Sequence, residues 1–383
     1  MHVLGQEIHA APGVALIVAA GVTLYIASRA AADALVGSRP RAPGLMALGH
    51  WLPIAAVALA AMVMRRTEIA VGVVFATSVA SLTLAIGAVT FLAPPATPAV
   101  ARRTWPMILP AAMLVFLAGF HGALTLQHAI FLFIEGIAVC MLWNDRRGLA
   151  TVVDDASSAP APPPGRGRFS VLNFSQLILA AALAAIGAWA GVHGADIGSS
   201  ATRVNYTAID VASAGLLATT MLGPLLVLPM LGAGVDLAHR GQSWVAVTSQ
   251  IAVVLLNLCL LLPLVVIEGQ YHPLRDAVNS AKTALAPPRP VVVATALTTR
   301  PATAPAADEE DGDAATTAPV AEAGVSLPLA VWRVDVVVLI ALGMFLLPIA
   351  LGRWSLTKYE GLGLIGAYIA YLLLAMSLGV RLI

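Results

Sequence analysis

About ten runs of roughly 20 apolar residues, separated by short polar breaks, decide what this chain can fold into. In a bilayer core every backbone N–H and C=O must be satisfied inside the protein, so runs of this length fold as spanning helices. The runs cover residues 13–35, 42–64, 68–92, 105–120, 124–143, 171–193, 207–237, 244–268, 334–351 and 356–378. Only 11% of the residues are charged, against roughly 25% in soluble domains, and the mean hydropathy is +0.89. The expected fold is an all-α membrane protein with about ten transmembrane helices, and its first partner is the lipid bilayer. The seventh run is overlong, as expected of a segment that is tilted or interrupted near Gly223-Pro224 and Pro229.

Within this frame the stretch 49–92 stands out. It opens on Gly49-His50-Trp51-Leu52-Pro53-Ile54, crosses Arg65-Arg66, and continues through an apolar run carrying Thr77, Ser78, Ser81 and Thr83. Glycine and proline inside a membrane helix are expected to break it and expose backbone, which is tolerated where protein covers it or where it lines a cavity. A second stretch, Leu225-Leu226-Val227-Leu228-Pro229-Met230, repeats the arrangement. In one register Pro53 falls on Pro229, Arg65 on Gly241, Ala76 on Ala252 and Ser81 on Asn257, without a gap across two helices. Paired interruptions of this kind are the best sequence pointer to a transporter's binding site.

Five runs lie in each half. An odd number makes the second half enter the membrane upside down relative to the first, so the expected organisation is an inverted repeat. Residues 1–144 form the first repeat, 145–169 an inside linker, and 170–383 the second repeat, which the insert 269–328 interrupts. That insert is rich in Ala, Pro and Thr and carries Asp308-Glu309-Glu310-Asp311. It has too little apolar surface to order itself and is expected to be a disordered outside segment. Arginines 39, 41, 102, 103, 146, 147, 166, 168, 240 and 353 fall on one side, which by the positive-inside rule puts both termini outside. Residues 1–12 lack Lys and Arg, so the first helix is read as retained rather than as a cleaved signal. Lysine occurs only at 282 and 358 amid abundant arginine and alanine, a usage that suggests a bacterial inner-membrane protein.

Several functions are set aside. A formal charge of +1 gives no support to a nucleic-acid partner. Cys140 and Cys259 both lie in apolar runs and imply neither a disulfide nor a metal site. The chain has no hydrolase elbow, phosphate-binding loop, metalloprotease helix or haem-attachment motif, so an enzyme is not expected and no cofactor is implied.

The order of these features resembles the cation/calcium antiporter superfamily, which includes the sodium/calcium exchangers. The resemblance implies two inverted five-helix halves. It also implies a Gly-Thr-Ser-Leu-Pro-Glu-like motif on the second helix and an Asn- and Ser-rich motif on the third. Residues 49–54 and 225–230 take the first place, and residues 72–81 and 248–257 the second. The sequence departs from the family where it matters most. The two cation-binding glutamates are Ile54 and Met230, and the Thr-Ser pairs are His50-Trp51 and Leu226-Val227. Calcium takes 6–8 oxygen ligands, carboxylates usually among them. Isoleucine offers none, and a thioether is a soft ligand.

The transport-site candidates are therefore the residues that occupy the motif positions: His50, Trp51, Ile54, Thr77, Ser78, Ser81, Met230, Thr248, Ser249 and Asn257. The polar ones could hold an ion or solute, or simply bond helix to helix. Glu135 and His128 share a helical face in the fifth run, where a relay is imaginable and a neutral, hydrogen-bonded glutamate is the simpler alternative. Two functions stay open. One is a secondary transporter of a monovalent cation, proton or small solute. The other is a transport-inactive relative acting as a membrane interaction or scaffold protein.

Overall fold

The computed structural model describes residues 2–36, 43–95, 105–119, 123–143, 171–203, 214–271, 325–326 and 329–381. The linker 145–169 lies outside them, as does the insert 269–328 apart from residues 269–271 and 325–326. The helices are α1 (His2–Val36), α2 (Pro43–Val63), α3 (Thr67–Leu92), α4 (Ile108–Gly119, after a 3-10 turn at Trp105–Met107), α5 (Leu126–Trp143), α6 (Val171–Arg203), α7 (Ala214–His239), α8 (Ser243–Tyr271), α9 (Leu329–Ala350) and α10 (Lys358–Arg381). The short strands β1 (Ala123–Leu124) and β2 (Val325–Ser326) pair antiparallel. Seven of the described helices are long and apolar enough to cross a membrane, and α4, α5 and α9 contribute shorter apolar segments. The chain is an all-helical, multi-pass membrane protein.

Two helices are central. The most apolar stretch of α3 is 94% buried and that of α8 is 83% buried, against 22% for α6 and 28% for α10. A helix that is apolar all round belongs inside a bundle. The polar side chains that α3 and α8 carry are therefore turned on protein, not lipid. The outer helices show lipid their large side chains instead, among them Phe131 and Ile134 of α5, Phe174 and Ile186 of α6, and Leu373 of α10.

Around this centre the helices pair in a crossed pattern. α1 lies along α6, α2 packs on α8 while α3 packs on α7, α3 meets α10 while α8 meets α5, and α4 meets α9. The Pro53-to-Pro229 register extends into backbone detail. Arg65 (φ 58°) and Gly241 (φ 71°) both take the left-handed conformation in the turn after their helix. Arg66 N–H donates to Ala61 O at 2.7 Å, and Gln242 N–H to Leu237 O at 2.8 Å, closing both turns alike. Gly241 meets the left-handed requirement at no steric cost, whereas Arg65 carries a Cβ into it.

The expected breaks at Pro53 and Pro229 do not occur. Helix runs on through both prolines, because a proline removes one backbone donor while packing neighbours hold the rest of the ladder. The ladder widens elsewhere, into π turns at Ser81–Ala85 in α3, Ala218–Leu222 in α7 and Asn257–Leu261 in α8. Ser81 and Asn257 head matching turns in the same register. Each offers its own carbonyl to the N–H five residues on, at Ile86 and Leu262.

Glycine sets the closest approach. In membranes, helix association relies on small residues that let backbones touch. A Cβ built on Gly13 of α1 would sit 2.7 Å from both Gly194 O and Gly198 N of α6, and one on Gly194 would sit 2.8 Å from Gly13 O. Sequence length had ended this helix at residue 193, but it continues because those glycines press against α1. Gly194→Val should cost about 1–3 kcal/mol or more by forcing the pair apart. Gly363→Ala, where nothing lies within 4 Å, should be neutral or stabilising by about 0.5–1 kcal/mol. Thermal unfolding of the two variants in one detergent compares them directly.

Candidate transport site

The centre of the site is a set of polar side chains on α3 and α8, the two helices that apolar surface has driven inside. Asn257 Nδ2 donates to Thr77 Oγ1 at 2.9 Å and to Ser78 Oγ at 3.2 Å, joining the halves across the core. The hydroxyls in turn donate back to their own helix. Thr77 Oγ1 reaches Val73 O at 2.6 Å, and Ser78 Oγ reaches Val74 O at 2.7 Å. All three residues are fully buried. Ser81 lies one turn further along α3, so it shares a helical face with Thr77 and Ser78.

Several buried polar atoms along α3 and α8 have no hydrogen-bond partner within the protein. Asn257 Oδ1, Ser81 Oγ, Thr248 Oγ1 and Gln250 Oε1 are buried without a hydrogen bond. Gln250 Nε2 donates to Met230 O at 3.3 Å, tying α8 to α7. Each unsatisfied buried polar atom costs about 1–3 kcal/mol, so a group of them on two packed helices calls for an explanation other than stability.

The structure brings only some of the predicted residues together. Thr77, Ser78 and Asn257 bond directly. Ser249 donates to Ala246 O of its own helix at 2.8 Å and makes no link across. His50, 1% exposed, turns toward α1, where its Nδ1 lies 2.7 Å from Ser28 Oγ. Its Nε2 and the Trp51 Nε1 lack partners, and Trp51 is half-buried against the core. Ile54 and Met230, where the resemblance implies glutamates, are 0% and 1% exposed and belong to one apolar cluster. The imagined relay in α5 does not form between its two members. His128 Nδ1 accepts from Thr125 N–H at 3.1 Å at the helix start, and Glu135 Oε1 has no partner.

The sequence reading gave Gln250 no place among the site residues, although it stands beside Ser249 in the same motif position. It also passed over Asp335, an acidic residue inside an apolar run. Asp196 pairs with Arg66 at 2.5 Å and so ties α6 to the α2–α3 turn. Among the described residues, no group of three or more His, Cys, Asp or Glu side chains gathers as a metal site would require.

This arrangement defines a class: a helical membrane protein with a carboxylate-free polar centre buried between two internal helices. Solved structures place the fold. The chain is similar to the H+/Ca2+ exchanger CAX at a TM-score of 0.62 and 12% identity, over 97% of this chain and 86% of that one. It is similar to YfkE at 0.57 and 13%, over 98% and 96%. It is similar to the sodium-calcium exchanger NCX_Mj at 0.51 and 15%, over 94% and 98%. The chain shares the fold of these exchangers. No family model and no curated protein sequence matches the chain.

Proposed function

We propose that the chain is a secondary transporter of a monovalent cation, built as two inverted five-helix repeats (1–144 and 170–383) with both termini outside. The observation that carries the reading is the Asn257–Thr77–Ser78 junction, where Asn257 Oδ1 is buried and unbonded, with Ser81 Oγ and Gln250 Oε1 also buried and unbonded on the same two helices. Neutral amide, hydroxyl and carbonyl oxygens can replace the hydration shell of a singly charged ion, as in potassium filters. They are a poor match for calcium. The penalty for burying charge rises steeply with that charge, and its usual carboxylate partners are absent at Ile54 and Met230. The exchanger fold supports alternating access around a midplane site. Ser81, Ser249, Gln250 and Asn257 are at most 1% exposed, so the site is closed to both sides.

The second reading, a transport-inactive membrane interaction protein, draws on the apolar closure by Ile54 and Met230. One experiment separates the two. Purified protein in liposomes is assayed for uptake of radiolabelled sodium, rubidium and calcium. Sodium or rubidium uptake above protein-free vesicles, without calcium uptake, is expected. Sodium-driven calcium uptake contradicts the reading of the missing glutamates, and absence of any flux favours the inactive relative.

A further inference from the structure

Asp335 of α9 is the one carboxylate among the described residues that is buried, at 2% exposure. Its Oδ1 accepts a 2.7 Å hydrogen bond from the Tyr371 hydroxyl of α10. Tyr371 is itself 3% exposed and stacks on Tyr368, ring centroids 6.2 Å apart. Asp335 stands six positions after Leu329, about 9 Å along the axis of α9, at the start of the apolar segment Val334–Ala350, and its burial shows that it is turned on protein. α10, which holds its partner, packs against the π turn Ser81–Ala85 of α3. The pair is therefore one helix removed from the central site.

No cation balances this carboxyl among the described residues. The elements packed on α9 are α3, α4 with its Trp105–Met107 turn, and α10. α4 and its turn carry no titratable group, and α3 carries Glu68 in its first turn. α10 carries Lys358, Tyr359, Glu360 and Arg381 near its ends, and Tyr368 and Tyr371 between them. Among the described side chains of these elements, the Tyr371 hydroxyl is the one hydrogen-bonded to Asp335. A buried carboxyl without a counter-charge takes up a proton instead of ionising. An intramembrane acid facing protein marks a functional site by default.

We infer that the Asp335–Tyr371 pair is a proton-binding site, separate from the central cation site, through which this transporter exchanges a proton for its cation. The inference rests on the transport reading above and adds the coupling ion to it. At rest the proton sits on the carboxyl while Tyr371 donates to Oδ1. When α9 and α10 shift with the cycle and admit water, the O–H bond breaks to water and leaves a carboxylate that keeps the Tyr371 hydrogen bond. Reprotonation from water on the other side restores the start.

Two measurements test this on the full-length protein. Infrared difference spectra of the reconstituted wild type across a pH step should show the C=O stretch of a protonated carboxylic acid. The band should vanish in Asp335→Asn. It should move to higher frequency in Tyr371→Phe, where Oδ1 loses its donor. In liposomes with an internal pH dye, a sodium or rubidium gradient should drive proton counterflow through wild type and not through Asp335→Asn. Glu135→Gln should retain it. A wild type without the band, or a band that survives Asp335→Asn, overturns the proton site. Cation flux with undiminished counterflow in Asp335→Asn overturns the coupling alone. No cation flux through wild type removes the transport reading and the coupling with it. Asparagine keeps the shape and can still accept from Tyr371, and the Tyr371→Phe band shift gives a second reading if Asp335→Asn does not fold.

Discussion

Asn257→Leu should reduce sodium or rubidium uptake by about 10- to 150-fold while leaving the protein as stable as wild type within about 1 kcal/mol. The flux estimate follows from removing one oxygen contact to a charged ion, about 1.5–3 kcal/mol at about 1.4 kcal/mol per tenfold. The stability estimate follows from the bonding pattern. Leucine has the same branching as asparagine. Without Asn257, the Thr77 and Ser78 hydroxyls still donate to Val73 and Val74, so no donor is orphaned. The unbonded Oδ1 disappears, which offsets the lost bridge and any overpacking. The two readouts move apart only if asparagine is kept for a ligand. Liposome uptake and thermal unfolding on one preparation decide it. Unchanged uptake would make the junction a helix-to-helix bond and nothing more. A large loss of stability would give Asn257 a structural role.

The same residue shows what the sequence could and could not reveal. Run length alone located the described helices, since a bilayer admits no other solution for 20 apolar residues, but not all their ends: α1 starts at His2 and not at residue 13, and α6 runs to Arg203 and not to residue 193. The pairing of Ser81 with Asn257 was legible because two prolines and a turn kept one spacing in both halves. The structure repeats that spacing down to the left-handed φ at Arg65 and Gly241. The π turns beginning at Ser81 and Asn257 were not legible. A π turn differs from α-helix by one residue of hydrogen-bond offset and leaves no compositional mark. Nor was the fate of Pro53 and Pro229 legible, because whether proline breaks a helix depends on neighbours that the local sequence does not name.

Side-chain partnerships were hidden for a related reason. α3 and α8 are apolar on every face, so periodicity cannot say which side meets which helix. His50 looked like a site residue by position, yet it faces Ser28 on α1. Asp335 carried no sequence signal that set it apart, yet it is held by a tyrosine 36 residues along the chain. Both are contacts between helices that follow one another in the chain, α1 with α2 and α9 with α10, and which side chains meet there is set by how the bundle packs, not by the local sequence.

The largest change of function should come from putting carboxylates back. In the double variant Ile54→Glu/Met230→Glu, two acids enter positions that are 0% and 1% exposed within one apolar cluster. Each ionised carboxyl without a partner there costs several kcal/mol, so in calcium-free buffer the melting temperature should fall well below that of wild type. Calcium should then act as the missing counter-charge. Saturation at about a hundredfold over its dissociation constant returns about 2.7 kcal/mol, so melting should rise with calcium in the double variant and stay flat in wild type. Potassium at equal ionic strength should not substitute, because a single charge leaves one carboxylate unbalanced. Calcium stabilisation of wild type would mean that neutral oxygens suffice for a divalent ion and that the cargo assignment is wrong. A double variant that is destabilised yet indifferent to calcium would mean that positions 54 and 230 do not face one site. The exchanger fold would then be retained in the backbone of this chain without the paired site that the resemblance implies.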